Sequence, residues 1–135
     1  MRTRIEQELA LLRGAYPEVE HLESNGEDWF RLPAYPFPDG WRMGDNTIEK
    51  SPVVFKLTAT YPTAQPYGFM APNGINFKGA APGNCGLVPT SAFPGTWIQF
   101  SWQPDGNWEP KSEAAGGSNI LSWVRSFAQR LKEGA

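Results

Sequence analysis

The sequence predicts an α+β fold, with an amphipathic helix at each end, an antiparallel meander of strands after the first helix, and a long irregular segment before the second. Three observations carry that expectation. Apolar residues recur at helical spacing near both ends, an alternating stretch occupies "PVVFKLTATYP", and glycine and proline crowd residues 62–110.

The first helix is expected in "TRIEQELALLRGAYP". Thr3 and Glu6 have the spacing of a capping box, in which each side chain satisfies a free backbone amide of the first turn. Ile5, Leu9, Leu12 and Tyr16 make one apolar stripe, and Pro17 stops the helix. "DWFRLPAYPF" reads as the first strand, and "PFPDGWRMGDNTIEKSP" has the turn residues to carry the chain into the next. In that next strand Val53, Phe55, Leu57, Ala59 and Tyr61 face one way and Lys56, Thr58 and Thr60 the other, the pattern of a half-buried strand. Beyond Pro62 only "GTWIQFSW" has strand character, and so long an irregular stretch in a compact domain usually marks function. "SNILSWVRSFAQRLKEGA" closes the pattern: Ser118 as a cap, an apolar face of Ile120, Val124, Phe127 and Leu131, basic residues in the last turn and Gly134 as terminator.

Composition narrows the function classes. A chain of 135 residues fits one domain, 1–135, large enough to bury roughly 68% of its unfolded surface. Twelve basic residues against fourteen acidic ones, with no basic run, leave no electrostatic footprint for nucleic acid or an anionic membrane. No stretch approaches the ~18 apolar residues of a membrane span, and acidic residues interrupt the apolar part of the N-terminal segment. A soluble, cytoplasmic protein is therefore expected. One cysteine makes no internal disulfide, and one histidine builds no metal site of the usual Cys/His kind, so neither metal nor cofactor is expected.

The lone cysteine lies in "GAAPGNCGLVPTSAFPG". Before context, a single intracellular cysteine is more often an inert small hydrophobe than a nucleophile. Core cysteines, however, sit inside regular apolar segments, whereas Cys85 is flanked by Gly83 and Gly86, which remove side chains that would block an approaching chain. Asn73, Asn76 and Asn84 can offer an amide to a reacting carbonyl or simply form turns. His21, in "EVEHLESNGED", reads as a solvated loop residue, and Glu18, Glu20, Glu23, Glu27 and Asp28 as a solvated face. Trp97, Trp102, Trp108 and Trp123 stand beside strand and helix signals and read as core packing.

The ordered set "FKLTATYPTAQP", Cys85, "NWEP" and "NILSWVRSFAQRL" resembles the ubiquitin-conjugating enzyme fold, in which a strand ending in Tyr-Pro leads through a nearly structureless stretch to the catalytic cysteine. Cys85 stands 23 residues beyond Pro62. "YPTAQPYGFMAPNGINFKG" and "GTWIQFSWQPDGNWEP" look like the divergent prokaryotic family E type members of that superfamily. The resemblance implies a transferase that carries a ubiquitin-like protein as a thioester on Cys85. It implies three partners: the ubiquitin-like protein, a ThiF-like activating enzyme and a JAB-type deubiquitinase, in the setting of bacterial defence or stress. The family's His-Pro-Asn triplet has its nearest equivalent in Ala71-Pro72-Asn73, without the histidine, so Asn73 is the first candidate oxyanion donor and Asn76 and Asn84 its competitors. In the family the first helix recruits the activating enzyme, which points to Arg2 and Arg4, with Gln7, Glu8 and Arg13, as a partner surface. Two other functions fit the residues: a non-catalytic module of the same fold, with Cys85 buried and unreactive, and an unrelated small α+β domain whose aromatic residues line a ligand pocket.

Overall fold

The computed structural model describes residues 2–135. Helix α1 (Thr3–Ala15) is followed by β1 (Glu20–Ser24), β2 (Glu27–Pro36), β3 (Trp41–Met43), β4 (Asn46–Thr47), β5 (Lys50–Leu57), β6 (Phe69–Pro72), β7 (Ile75–Phe77), β8 (Cys85–Leu87) and β9 (Trp97–Phe100). A short 3-10 turn (Ala114–Gly116) precedes helix α2 (Ile120–Lys132). Six strands form an antiparallel sheet in the order β1-β2-β5-β6-β9-β8, and β4-β3-β7 form a smaller one. The α+β arrangement with a helix at each end is thus as the sequence pattern requires.

The helices lie over one face of the large sheet. Ile5, Leu9 and Leu12 of α1 and Ile120, Val124, Phe127 and Leu131 of α2 share one core with Phe30, Val53, Phe55, Leu57, Phe69 and Phe100. Phe127 is its centre, with its ring 4.2 Å from that of Phe69 and 5.9 Å from that of Phe55. The opposite face is also covered, because residues 88–96 fold back and set Phe93 against Trp29, Val54, Met70 and Trp97. Strand β5 is accordingly buried on both sides at Val53 and Val54, not half-buried as its alternation suggests. It also stops at Leu57, so that Ala59 and Tyr61 belong to the turn that follows.

Both helix starts differ from the sequence expectation. Arg2, not Thr3, is the N-cap of α1 and no side chain caps it, so the Thr3/Glu6 box does not form. In α2 the cap is Asn119, one residue after Ser118: its side chain accepts from the Ser122 amide while the Ser122 hydroxyl accepts from the Asn119 amide. What α1 lacks in caps it gains in a buried network. Glu8, fully enclosed on the inner face of α1, binds the Arg4 guanidinium and the Tyr61 hydroxyl and accepts from the Ile120 amide at 2.7 Å. Its carboxylate therefore sits at the N-terminus of α2, where the helix dipole favours negative charge. Glu8 is no part of an exposed polar face.

The segment read as a solvated turn is a hairpin. Asn25 and Gly26, at φ 53° and 77°, supply the left-handed residues of a tight two-residue turn between β1 and β2. Across it His21 Nε2 lies 2.8 Å from Asp28 Oδ1 with both side chains buried, and the imidazole packs on Phe30. His21 and Asp28 are therefore structural and not solvated.

Candidate functional site

Residues 62–110 hold four short strands, and Cys85 opens one of them. Strand β8 pairs with β9 in the register Cys85↔Phe100, Gly86↔Gln99 and Leu87↔Ile98, which makes it the last strand of the large sheet. Glycine and proline hide it in the sequence because only three residues pair. Cys85 is half-buried, packed on the edge of the main core, and makes no disulfide.

A cleft of about 390 Å³ opens beside the thiol, lined by Asn73, Gly74, Ile75, Asn76, Gly79, Ala81, Pro82, Cys85, Gly86, Leu87 and Ile98. Its walls are the β6–β7 turn, the segment running into β8, and β8 itself. Asn76 is committed to that turn: its Nδ2 donates to the Gly44 and Gly74 carbonyls at 2.9 and 3.3 Å, and its Oδ1 accepts from the Gly79 amide at 2.9 Å. Asn73 is anchored only by its backbone, whose amide donates to the Thr96 carbonyl at 2.9 Å; its side chain is exposed and has no partner among the described residues. Asn84 adopts φ 53°, gives its carbonyl to Ser101 and does not line the cleft. Cys85 and Asn73 are thus brought to one cleft with a free amide, Asn76 shares the cleft with its amide engaged, and Asn84 is a turn residue.

The electrostatics of the thiol come from two opposed causes. Partial burial disfavours the thiolate and pushes the Cys85 pKa up, while the Arg130 guanidinium pulls it down. Arg130 is the residue beside the thiol that sequence reading misses. It is 5% exposed, stacks 4.9 Å above the Phe100 ring, and donates to the carbonyls of Gly134 at 2.7 Å and Gly83 at 3.0 Å. A signal was present, since Arg130 falls beside Phe127 and Leu131 on the apolar side of α2. Long basic residues at helix ends are usually read as solvated, and that hid it.

Of the arginines of the first helix, Arg2 and Arg13 are exposed as expected and Arg4 is not. Arg4 turns inward to Glu8 and the Lys111 carbonyl. Arg2 spans from Asp28, at 3.8 Å, to the carbonyls of Thr58, Ala59 and Tyr61. Gln7 and Arg13 remain exposed on that helix.

The tryptophans pack as the sequence suggests. Trp97 and Trp123 are buried, while the indoles of Trp102 and Trp108 donate to the Ser126 hydroxyl and the Pro62 carbonyl at 3.1 and 2.7 Å. A second cleft, of about 400 Å³, lies between residues 104–108 and α2, and Trp108 and Trp123 line it together with Asp105, Arg125, Gln129 and serines. Among the described residues no helix is long and apolar enough to cross a membrane, and no three His, Cys, Asp or Glu side chains converge as metal ligands would.

Comparisons with family models, with curated proteins and with solved structures find no match to this chain. The class that fold and site define is an α+β domain with one half-buried thiol at a sheet edge beside a cleft.

Proposed function

We propose that this chain is a ubiquitin-conjugating-like acyl carrier, which accepts the C-terminus of a ubiquitin-like protein on Cys85 and passes it to an amine. The observation that carries the reading is the pairing of Cys85 with the unpartnered Asn73 amide in one open cleft. The Cys85 thiolate attacks the thioester carbonyl on an activating partner. A new carbon–sulfur bond forms at Cys85 Sγ, the partner's breaks, and its sulfur leaves as thiolate. In the second step an amine attacks the same carbonyl, an amide forms, Cys85 leaves as thiolate and the amine proton passes to solvent. Asn73 Nδ2 is the donor for the oxyanion in both steps.

A raised thiol pKa suits this role. Fewer molecules are ionised at neutral pH, but a more basic thiolate is the stronger nucleophile and the poorer leaving group, so the thioester it makes survives longer in water. Transfer then depends on a correctly placed amine.

The half-burial of Cys85 favours a second reading, a module of the same fold that binds a ubiquitin-like protein without carrying it. Charging separates the two. With an adenylating partner, the ubiquitin-like protein and ATP, the carrier gains one protein mass, seen by intact mass on unreduced protein, which thiol reductant removes and Cys85→Ala abolishes. No adduct from a partner that demonstrably adenylates its substrate rejects the carrier.

A further inference from the structure

Strand β8 is the outermost strand on its side of the sheet, and the backbone pattern fixes which of its groups point outward. The Val88 amide donates to the Trp97 carbonyl and the Ser101 amide to the Asn84 carbonyl, each at 2.9 Å. In an antiparallel ladder hydrogen-bonded and non-hydrogen-bonded pairs alternate, so the bonded pairs are Asn84/Ser101, Gly86/Gln99 and Val88/Trp97. Cys85 and Leu87 stand opposite Phe100 and Ile98 in the non-bonded pairs, and their N–H and C=O groups point away from β9 to the free edge. Among the described residues no other strand pairs with β8.

The edge is also unguarded. The strand at the opposite edge, β1, carries Glu20, His21 and Glu23, the charges that usually keep a sheet edge from recruiting another chain. Cys85–Leu87 carries no charge, and Leu87 is 68% exposed. Cys85 and Leu87 share one face of the strand, the face on which the cleft lies. Two outward N–H and C=O pairs, one residue apart, match one partner only, an extended polypeptide backbone.

We infer that the free edge of β8 receives the extended C-terminal tail of the delivered polypeptide as an added strand, bonded to the backbone of Cys85 and Leu87, which leads its terminal carbonyl to the thiol. This rests on the carrier reading and names how the tail is held. Recognition falls on the backbone, so an uncharged tail of small or β-branched residues fits, and the Leu87 side chain meets alternate tail residues. No covalent step beyond the thioester exchange above is required.

The test uses a synthetic probe, acetyl-Thr-Val-Thr-Val-Gly as its 2-sulfanylethanesulfonate thioester, and reads the rate at which it acylates Cys85. N-methylating one probe amide at a time should slow acylation about tenfold at alternate positions only, the worth of one lost backbone bond. Leu87→Pro removes an outward N–H without touching the β9 ladder, and should slow the parent probe to the same degree while Leu87→Ala slows it less. Equal rates through the methylated series overturn the inference, and that series needs no altered protein. The edge is also readable without chemistry. In isotope-labelled protein the unreactive carboxamide of the same peptide should slow hydrogen exchange at the Cys85 and Leu87 amides and leave Gly86 and Val88 unchanged. No protection at Cys85 and Leu87 overturns the docking strand, whereas protection without acylation keeps it and rejects the carrier.

Discussion

Arg130 and Gly83 are joined by a 3.0 Å hydrogen bond that ties the last turn of α2 to the loop two residues before Cys85. The same guanidinium stacks on Phe100, the residue paired with Cys85 across β8 and β9, so one buried cation touches both the loop that leads into the thiol-bearing strand and the strand paired with it.

Removing that cation should be read in the thiol. Burial raises the Cys85 pKa and Arg130 opposes it, so Arg130→Met leaves burial unopposed and moves the pKa higher still. The pH midpoint of iodoacetamide labelling is expected to move to higher pH in Arg130→Met. Arg130→Lys keeps the charge but not the two-carbonyl fork, and should recover part of the midpoint without the thermal stability. An unchanged midpoint in Arg130→Met means the charge does not reach the sulfur.

Stability should decline in alkali in two stages. Cys85, Tyr35 and Tyr61 all have pKa values raised, chiefly by burial, so each is held neutral in the fold and ionises more readily in the unfolded chain. A raised folded pKa contributes stability that is complete below the unfolded value and lost as pH rises. The loss begins near pH ~8.5 for the thiol and steepens above pH ~10 for the phenols. Thermal midpoints measured from pH 7 to 11 should therefore fall in both windows. Cys85→Ala should flatten only the first, and Tyr61→Phe should soften only the second.

Glu8 couples three elements, and its loss should be among the costliest single changes. Glu8→Ala leaves the Arg4 charge unpaired in a largely enclosed site and the Ile120 amide without its acceptor. The expected cost is about 3–5 kcal/mol, a fall in thermal midpoint on the order of 10 °C. Tyr61→Phe removes only one bond from the carboxylate and should cost about 1 kcal/mol beyond its packing change. It follows that charge reversal at Arg4 tests the fold and not a partner surface, since it sets a second carboxylate against Glu8. Gln7 and Arg13, exposed on α1, are positions where a substitution would test the proposed partner surface without disturbing Glu8.

The helices and the central strand were legible because their signals are periodic and their burial one-sided. Ile120, Val124, Phe127 and Leu131 are all fully buried at the spacing read from the chain. What escaped reading depends on pairing over distance or on local chemistry outweighed by composition. Strand β1 looked polar because Glu20 and Glu23 face solvent, although Asn25-Gly26 is a strong two-residue hairpin signal. Strands β6 to β8 are three or four residues long, too short for an alternation to register, and exist because β9 and the small sheet hold them. Cys85 and Asn73 were legible as candidates, and their common cleft was not, because it forms only where the β6–β7 turn and the edge of β8 come together. Arg130 showed only as a basic residue on the apolar side of α2, and its part beside the thiol was hidden because Gly83 and Phe100 lie far off in sequence.

The two asparagines of the cleft should separate cleanly by what each substitution damages. Asn76 spends all its hydrogen-bonding atoms on the Gly44 and Gly74 carbonyls and the Gly79 amide, so Asn76→Ala unties the β6–β7 turn from the smaller sheet. A loss of about 1–3 kcal/mol in stability is expected, with any fall in transfer following from a displaced wall. The Asn73 side chain holds nothing in place, so Asn73→Ala should leave the thermal midpoint within about 2 °C of the parent. If its amide meets the oxyanion, the same substitution should slow aminolysis of the Cys85 thioester by about 10²–10³. Single-turnover discharge to free lysine, run on protein charged beforehand, measures that step apart from charging. Asn73→Asp is the sharper control, because it keeps the size and turns the donor into an acceptor that repels the developing charge. Discharge at the parent rate in both Asn73 variants removes this residue from the mechanism and leaves backbone amides of the cleft as the remaining donors.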